Sequence, residues 1–419
     1  MTIYEIEGGK PMAGELTAQG AKNSALVLLS AALLAKDVTV LKNCPEIRDV
    51  AAQLEILQSL GCVCSREGST VAVDATGVSS TEVPQELMRQ MRSSVTLLGA
   101  LLGRCGTGSI HTPGGCAIGA RPIDYHLQAF ADMGVVIEKE GDHLSAAMRQ
   151  RKDSIVMLPF PSVGATENVM LLAARLPCTT VLSGAAREPE IVDLAKLLNQ
   201  MGAVVMGAGT DTVTVRGSNC LNGAQHTVLP DRIAAATDLC AAAVTGGSLT
   251  LRSVAVRHMG AAIEALIRSG CEIRSEEGAV FLKAPKRLSG MGILRTMPYP
   301  GFPTDLQAPF VSLAATAEGD SVMVENMFEN RYQHVPQLHR MGADISVSGR
   351  VALVRGRPLH GGQVEAEDLR GGAALLLAGL GAEGNTKVHD AQHCIERGYE
   401  RITERWNSIG ASIRVQSLA

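Results

Sequence analysis

A short glycine-centred pattern recurs six times in this 419-residue chain. It reads Leu60-Gly61-Cys62, Met133-Gly134-Val135, Met201-Gly202-Ala203, Ser269-Gly270-Cys271, Met341-Gly342-Ala343 and Ile409-Gly410-Ala411. Successive glycines lie 73, 68, 68, 72 and 68 residues apart. Such regularity marks one supersecondary unit copied along a chain. Each glycine closes a helical pattern, as in Ile191 to Leu198, and precedes an alternating strand, as in Ala343 to Val347. A glycine just past a helix end supplies the left-handed backbone that turns the chain out of the helix.

A second, more apolar helical pattern lies earlier in each copy, as in Val95 to Leu102 and Ala373 to Leu380. It stops at a turn (Gly106, Pro177, Gly246, Gly319, Gly384) and leads to a strand. Each repeat therefore predicts strand, helix, strand, helix, strand, strand. Two strands follow Gly342, including Val351 to Val354, but only nine residues remain after Gly410. The N-terminal segment Tyr4 to Met12 echoes Leu353 to Leu359. Residues 1–21 are thus expected to complete the last repeat. The expectation is an α/β chain of two three-repeat domains, residues 22–229 and residues 1–21 with 230–419.

The repeat makes charges comparable. The first helix of each copy begins at Lys22-Asn23, Arg92-Ser93, Ser162-Val163-Gly164, Asp231-Arg232, Thr304-Asp305 and Asp368-Leu369-Arg370. The second begins near Arg48, Arg121, Arg187, Arg257, Arg331 and Arg397. Helix N-termini carry partial positive charge and prefer carboxylates. A whole set of cations there points to anion sites, because helix N-termini with Arg or Lys hold phosphate and carboxylate. Domains facing each other would form a cleft lined by guanidinium groups. Arg48 and Arg187 have acidic neighbours in Glu46-Ile47-Arg48-Asp49 and Arg187-Glu188-Pro189-Glu190. They read, with Arg257, as structural ion pairs. Arg92, Arg121, Arg331, Arg370 and Arg397 read as ligand groups.

Composition narrows the classes. The net charge is −4 and aromatics are 3%, which leaves neither a basic footprint nor stacking platforms for nucleic acid. The longest apolar run, Ala25 to Ala35, is too short to span a bilayer. The first residues lack the pattern of a signal peptide. Ten cysteines form no Cys-x-x-Cys pair. A reduced cytoplasmic protein with free thiols, no metal site and no cofactor is expected.

One cysteine stands apart. Cys116 lies within His111-Thr112-Pro113-Gly114-Gly115-Cys116-Ala117-Ile118-Gly119-Ala120-Arg121-Pro122, a stretch too rich in glycine for a helix or strand. A cation nearby lowers a thiol pKa and makes the sulfur reactive. Cys116 has no counterpart in the other repeats, so the stretch is an addition to an older polyanion site.

Between Gly20-Ala21-Lys22-Asn23 and Glu396-Arg397-Gly398-Tyr399-Glu400 several segments stand in a telling order. They are Pro113 to Pro122, Ser162 to Thr166, Ala186 to Glu190, Leu229-Pro230-Asp231-Arg232, Phe302-Pro303-Thr304-Asp305 and Phe328-Glu329-Asn330-Arg331. With them the chain resembles the UDP-N-acetylglucosamine 1-carboxyvinyltransferase family, within the EPSP synthase superfamily. The resemblance implies two inside-out α/β barrel domains, each of three βαβαββ units, closing on substrate. It implies transfer of enolpyruvate from phosphoenolpyruvate to the 3'-hydroxyl of UDP-N-acetylglucosamine with release of phosphate, the first committed step of peptidoglycan synthesis. Neither nucleic acid nor membrane is an expected partner.

By the same resemblance Cys116 is the proton donor and Asp305 the candidate base for the sugar hydroxyl. Lys22, Arg121 and Arg397 would hold the phosphate, and Arg331 and Arg370 the carboxylate. Asn23, Arg92, Arg121, Pro122, Ile123, Asp124, Tyr125, Ser162, Val163, Gly164 and Met327 would line the UDP-sugar. Three positions depart from the family. Phe160-Pro161 stand where many members carry a lysine, so a charge contact to the nucleotide is not expected there. Cys394-Ile395-Glu396 replaces His-Ile-Asp before Arg397, which would shift that arginine slightly. Gly371-Gly372 after Arg370 would loosen that helix start.

Three other readings compete. A shikimate-pathway enolpyruvyl transferase shares the repeat architecture but lacks a reactive-cysteine loop of this kind. A DNA clamp, also six-fold, needs basic inner helices, which these apolar helices do not supply. A paralogue that binds UDP-sugar and regulates without catalysis stays open from sequence, with the retention of Lys22, Cys116, Asp305, Arg331, Arg370 and Arg397 against it.

Overall fold

The structure is a computed structural model that describes residues 1–90, 95–111 and 123–417. These form two compact units. The terminal unit holds Met1–Gln19 and the chain from Pro230 onward, and the internal unit holds the described residues from Gly20 to Leu229.

Each unit is organised around three helices buried on every face. In the internal unit they are Lys22–Ala32, Thr96–Cys105 and Val163–Ala174; in the terminal unit, Arg232–Val244, Gln307–Thr316 and Leu369–Gly381. A helix that is apolar all round must be enclosed. Leu97, Leu98, Ala100 and Leu101 are fully buried in one unit, and Ala373, Ala374, Leu376 and Leu377 in the other. Small residues let the axes approach. A Cβ on Gly99 would lie 2.5 Å from the backbone oxygen of Asn168. The Asn168 amide oxygen instead accepts from Gly99 N–H at 2.9 Å, and its NH2 donates to the Val95 carbonyl at 3.0 Å. In the terminal unit, Ser312 Oγ donates across to the Ala374 carbonyl at 2.7 Å. Polar groups inside such a core must find partners, and these do.

Among the described residues six sheets surround the helices, three in each unit. In five of them a short strand pairs parallel to a second, which then joins an antiparallel pair, as in Ser154–Met157, Thr179–Ser183, Thr212–Arg216 and Val204–Met206. The sixth has three strands, Thr107–His111, His143–Met148 and Val135–Glu140. There an isolated parallel bridge, Glu82 to Ser109, stands where the others have a first strand. Helices inside and sheets outside give the inside-out arrangement.

All six repeat glycines have positive φ: Gly61 100°, Gly134 88°, Gly202 109°, Gly270 94°, Gly342 90° and Gly410 107°. Each turns a helix into a strand in a conformation costly for residues with a Cβ.

The chain ends differ in one respect from the sequence reading. Thr2–Glu7 lies between Asn385–Asp390 and Ile413–Ser417, antiparallel to both, as the fourth strand of the last repeat. Ala13–Thr17 does not join it but runs parallel to Ser248–Arg252 and opens the fourth repeat. Residues 1–21 are therefore shared between two sheets. Gln225–Thr227 likewise opens the first repeat, parallel to Val38–Lys42.

The capping role makes a paired prediction. At Gly202 nothing lies within 4 Å of an added Cβ, so Gly202→Ala costs backbone strain alone, about 1 kcal/mol. At Gly260, first residue of the helix Gly260–Arg268, the space is also open and no positive φ is present. Gly260→Ala is expected to gain about 0.5 kcal/mol through the unfolded chain. Urea midpoints should move in opposite directions; movement the same way would contradict the capping account.

Candidate active site

In the terminal unit two arginines converge on one carboxylate, one from a first-helix start and one from the segment before a second helix. Asp305 lies in a short 3-10 turn, Thr304–Leu306, before the helix Gln307–Thr316. Its Oδ1 accepts from Arg331 Nη2 at 3.0 Å and its Oδ2 from Arg370 Nη2 at 2.8 Å. Both guanidinium groups are buried, at 4% side-chain exposure, while Asp305 is 27% exposed. Arg331 stacks 5.6 Å over Phe328 and Arg370 5.2 Å over Tyr399. Planar cations on ring faces are held at low rotational freedom. Arg331 Nε and Arg370 Nη1 are buried without a hydrogen-bond partner among the described residues. Buried donors of this kind call for an acceptor, and carboxylates and phosphates supply one.

Supporting groups fix these side chains. Asp368 caps the helix Leu369–Gly381, accepting from the N–H groups of Arg370 at 2.9 Å and Gly371 at 3.0 Å. Glu325 is fully buried. It accepts from Thr296 Oγ1 and Thr304 Oγ1, both at 3.0 Å, and from the N–H groups of Met327 and Phe328 at 2.8 and 3.1 Å. That carboxylate ties the segment leading to Arg331 to the turn bearing Asp305. Tyr399 shares a 3.3 Å contact with Thr237 Oγ1. Burial, opposed chiefly by the Arg370 charge, raises the Tyr399 phenol above its ordinary value.

Arg397 ends the 3-10 turn Ile395–Arg397. Asp390 holds that turn, accepting from the N–H groups of Cys394 at 2.7 Å and Ile395 at 3.0 Å. Gln19 grips the residues after it, donating to the Gly398 carbonyl and accepting from Glu400 N–H. Glu396 faces His393 at 3.6 Å. The expected loosening at Gly371-Gly372 is not found. A Cβ on Gly371 would stand 2.6 Å from Asp368 Oδ2, and one on Gly372 2.7 Å from Ile395 Cγ1. The two glycines let neighbours close in on the helix start.

A concave pocket in the same unit is lined by Arg232, Arg257, His258, Tyr299, Pro300 and Leu306. Arg232 lies 5.5 Å over the Tyr299 ring, and His258 Nδ1 is 2.9 Å from the Tyr299 hydroxyl. Arg257, read from sequence as structural, belongs to this pocket.

In the internal unit, Lys22 opens the helix Lys22–Ala32 with no side-chain cap. Its ammonium lies 2.8 Å from the buried Asp49 carboxylate. That pairing offsets the repulsion between a cation and a helix N-terminus. Asp49, expected to satisfy Arg48, thus holds Lys22. Arg187 pairs with Asp211 at 3.2 Å, both exposed, rather than with its sequence neighbours alone. Asn23 follows Lys22 and is exposed.

Ser162 caps the helix Val163–Ala174 through its Oγ. Ile123, Asp124 and Tyr125 stand at the start of the helix Asp124–Asp132. These two helix starts meet, since a Cβ on Gly164 would touch His126 at 3.0 Å and His126 Nδ1 is 2.7 Å from Asn168 Nδ2. Arg92, Cys116, Arg121 and Pro122 lie outside the described residues. Among the described residues no two cysteines form a disulfide. Burial pushes the thiols of Cys62, Cys64 and Cys394 up to about 12, 11 and 11.

Sequence reasoning missed Glu325, His334, Asp368's capping contacts, Tyr399 and the Arg232–Tyr299 pocket. The signal for Asp368 was present, as an aspartate before a helical pattern. Glu325 and Tyr399 carry no local signal, because their partners are distant in the chain.

The sequence pattern of the EPSP synthase (3-phosphoshikimate 1-carboxyvinyltransferase) family matches residues 6–406. The chain is 46% identical over 414 residues to UDP-N-acetylglucosamine 1-carboxyvinyltransferase 2 of Caldanaerobacter subterraneus subsp. tengcongensis, covering 99% of each. It is 44% identical over 413 residues to UDP-N-acetylglucosamine 1-carboxyvinyltransferase of Myxococcus xanthus, covering 98% of each. Among solved structures, the enolpyruvyl transferase NikO from Streptomyces tendae superposes with TM-score 0.89 at 25% identity, covering 100% of this chain and 99% of that one. EPSP synthase from Acinetobacter baumannii superposes with TM-score 0.75 at 20% identity over 100% of both chains, a likeness of fold.

His334, between Arg331 and Asp368, gives the site a pH signature. It is 3% exposed, and neither ring nitrogen has a hydrogen-bond partner among the described residues. Burial, opposed by Asp368 and reinforced by Arg331, lowers its pKa from 6.5 to about 4. The folded protein keeps the ring neutral where the unfolded chain protonates it. That stability is complete above about pH 6.5 and is lost as pH falls toward about 4. His334→Gln is expected to spare up to roughly 3 kcal/mol of this acid loss, read from urea unfolding across the window. An unchanged acid limb in the variant would contradict the assignment.

Proposed function

This chain belongs to the EPSP synthase family of enolpyruvyl transferases, and we propose that it transfers the enolpyruvyl group of phosphoenolpyruvate to the 3'-hydroxyl of UDP-N-acetylglucosamine, releasing phosphate. Full-length identity of 43–46% to relatives named for that reaction supports the substrate pair. Asp305 clamped between Arg331 and Arg370 is the observation that carries the reading at the level of chemistry.

The reaction needs a proton on carbon 3 of phosphoenolpyruvate as carbon 2 becomes electrophilic. Cys116 is proposed as that donor. Asp305 accepts the sugar hydroxyl proton as the oxygen bonds to carbon 2. The carbon–oxygen bond to phosphate then breaks, a proton leaves the new methyl group, and the double bond reforms. Arg331 and Arg370 already hold one carboxylate through part of their donors, and the remaining donors suit a second. Bidentate guanidinium geometry fits the enolpyruvate carboxylate. Lys22, Arg121 and Arg397 are assigned to the phosphate. Asn23, Arg92, Arg121 to Tyr125, Ser162 to Gly164 and Met327 are assigned to the UDP-sugar.

No helix of the described residues is long and apolar enough to cross a membrane. We assign the chain to a reducing compartment, the cytoplasm, in peptidoglycan synthesis.

Purified protein is expected to release phosphate from phosphoenolpyruvate only with UDP-N-acetylglucosamine present. Release with shikimate 3-phosphate instead would sink the reading. Asp305→Asn should lower kcat at least about 100-fold, within the range of a lost general base. The epoxide fosfomycin should alkylate Cys116, with mass spectrometry finding one adduct there. An adduct on another thiol would remove Cys116 from its role.

A further inference from the structure

Three potential metal ligands meet far from the charge cluster around Asp305 in the chain. Glu82, His111 and His143 place one ligand atom each within 4.8 Å of one another. The backbone explains why. His111 and His143 are directly opposed in the antiparallel pairing of Thr107–His111 with His143–Met148. Opposed residues project to the same face of a sheet. Glu82 bridges to Ser109, two residues before His111 and therefore on that face as well. The bridge is fixed by Val83 N–H to the Ser109 carbonyl at 3.0 Å and Ser109 N–H to the Thr81 carbonyl at 2.8 Å.

Several observations go beyond proximity. The His111–His143 rings meet edge to face with centroids 5.2 Å apart. His111 Nδ1 is buried without a hydrogen-bond partner among the described residues. Asp142 Oδ2 stands 3.7 Å from that nitrogen, positioned by Gln85 Nε2 at 2.9 Å. A carboxylate beside a ligand imidazole is the usual outer support of a metal histidine.

We propose that Glu82, His111 and His143 form a binding site for a divalent first-row transition ion, with Asp142 as the supporting carboxylate. Two imidazoles and a carboxylate suit Zn2+, Co2+ or Ni2+ rather than Mg2+ or Ca2+, which take oxygen sets. Ligand atoms around tetrahedral zinc lie about 3.4 Å apart, so rotation of the three side chains by roughly an ångström closes the set. The ion would join three segments that the sequence separates: the bridge at Glu82, the end of one strand at His111 and the start of another at His143. It would not enter the transfer chemistry. His111 is the last described residue before the stretch that contains Cys116, so the ion would anchor the chain where that stretch begins.

Co2+ titration of the full-length protein, reduced and metal-free, tests this. One equivalent is expected to bind with visible d–d absorption and no thiolate charge-transfer band. Zn2+ should displace it and raise the melting temperature. His143→Ala should weaken binding at least tenfold. Glu82→Gln, a change at an exposed side chain that leaves folding intact, should weaken it about tenfold. Melting curves without metal check that both variants are folded. Binding unchanged in both variants, a thiolate band, or no binding of Co2+ by the wild type would each overturn the proposal.

Discussion

Burial of the six central helices on every face is the constraint on which the rest depends. Sheets cover their sides, so these helices present polar side chains outward only at their ends. Lys22, Ser162, Arg232, Asp305 and Arg370 all stand at such ends, as N-caps, first-turn residues or in the turn just before. The same enclosure explains the composition. Ala and Gly fill helices such as Leu369–Gly381 because larger side chains would hold the axes apart, as the 2.5 Å approach at Gly99 illustrates.

Concentrating cations at helix N-termini is costly unless each is matched. The molecule matches them locally. Asp49 faces Lys22, Asp305 faces two arginines, and Asp368 caps the helix that carries Arg370. These carboxylates do more than neutralise. Asp305 is aimed by two buried guanidinium groups, each keeping a donor with no partner among the described residues. The result is a site preorganised for anions, with the Asp305 carboxylate at its centre. His334 lies uncharged beside it, because burial disfavours its cation and the Arg331 charge adds to that, while Asp368 opposes it only in part.

Much of this is legible in the amino-acid sequence alone. The glycine period reveals the repeat and the capping turns, and a carboxylate or cation at the start of a helical pattern marks Lys22, Asp305 and Arg370. Reading ion pairs from adjacent letters works less well. Asp49 goes to Lys22, across two helix starts, and Arg187 goes to Asp211. Glu325 and Tyr399 are silent because neither breaks a local pattern. The glycines after Arg370 read as loosened packing and are instead places where Asp368 and Ile395 press against the helix.

The sequence by itself determined the repeat, the α/β alternation and the charge type at each helix start, because hydrophobic period, glycine conformation and capping chemistry are local properties. Only the tertiary structure decided which charges meet. Arg331 and Arg370 come to Asp305 from 26 and 65 residues away. His111 meets His143 through strand register, and Glu82 joins them through a single bridge. Such contacts depend on how strands pair and helices pack, and no spacing along the chain encodes them.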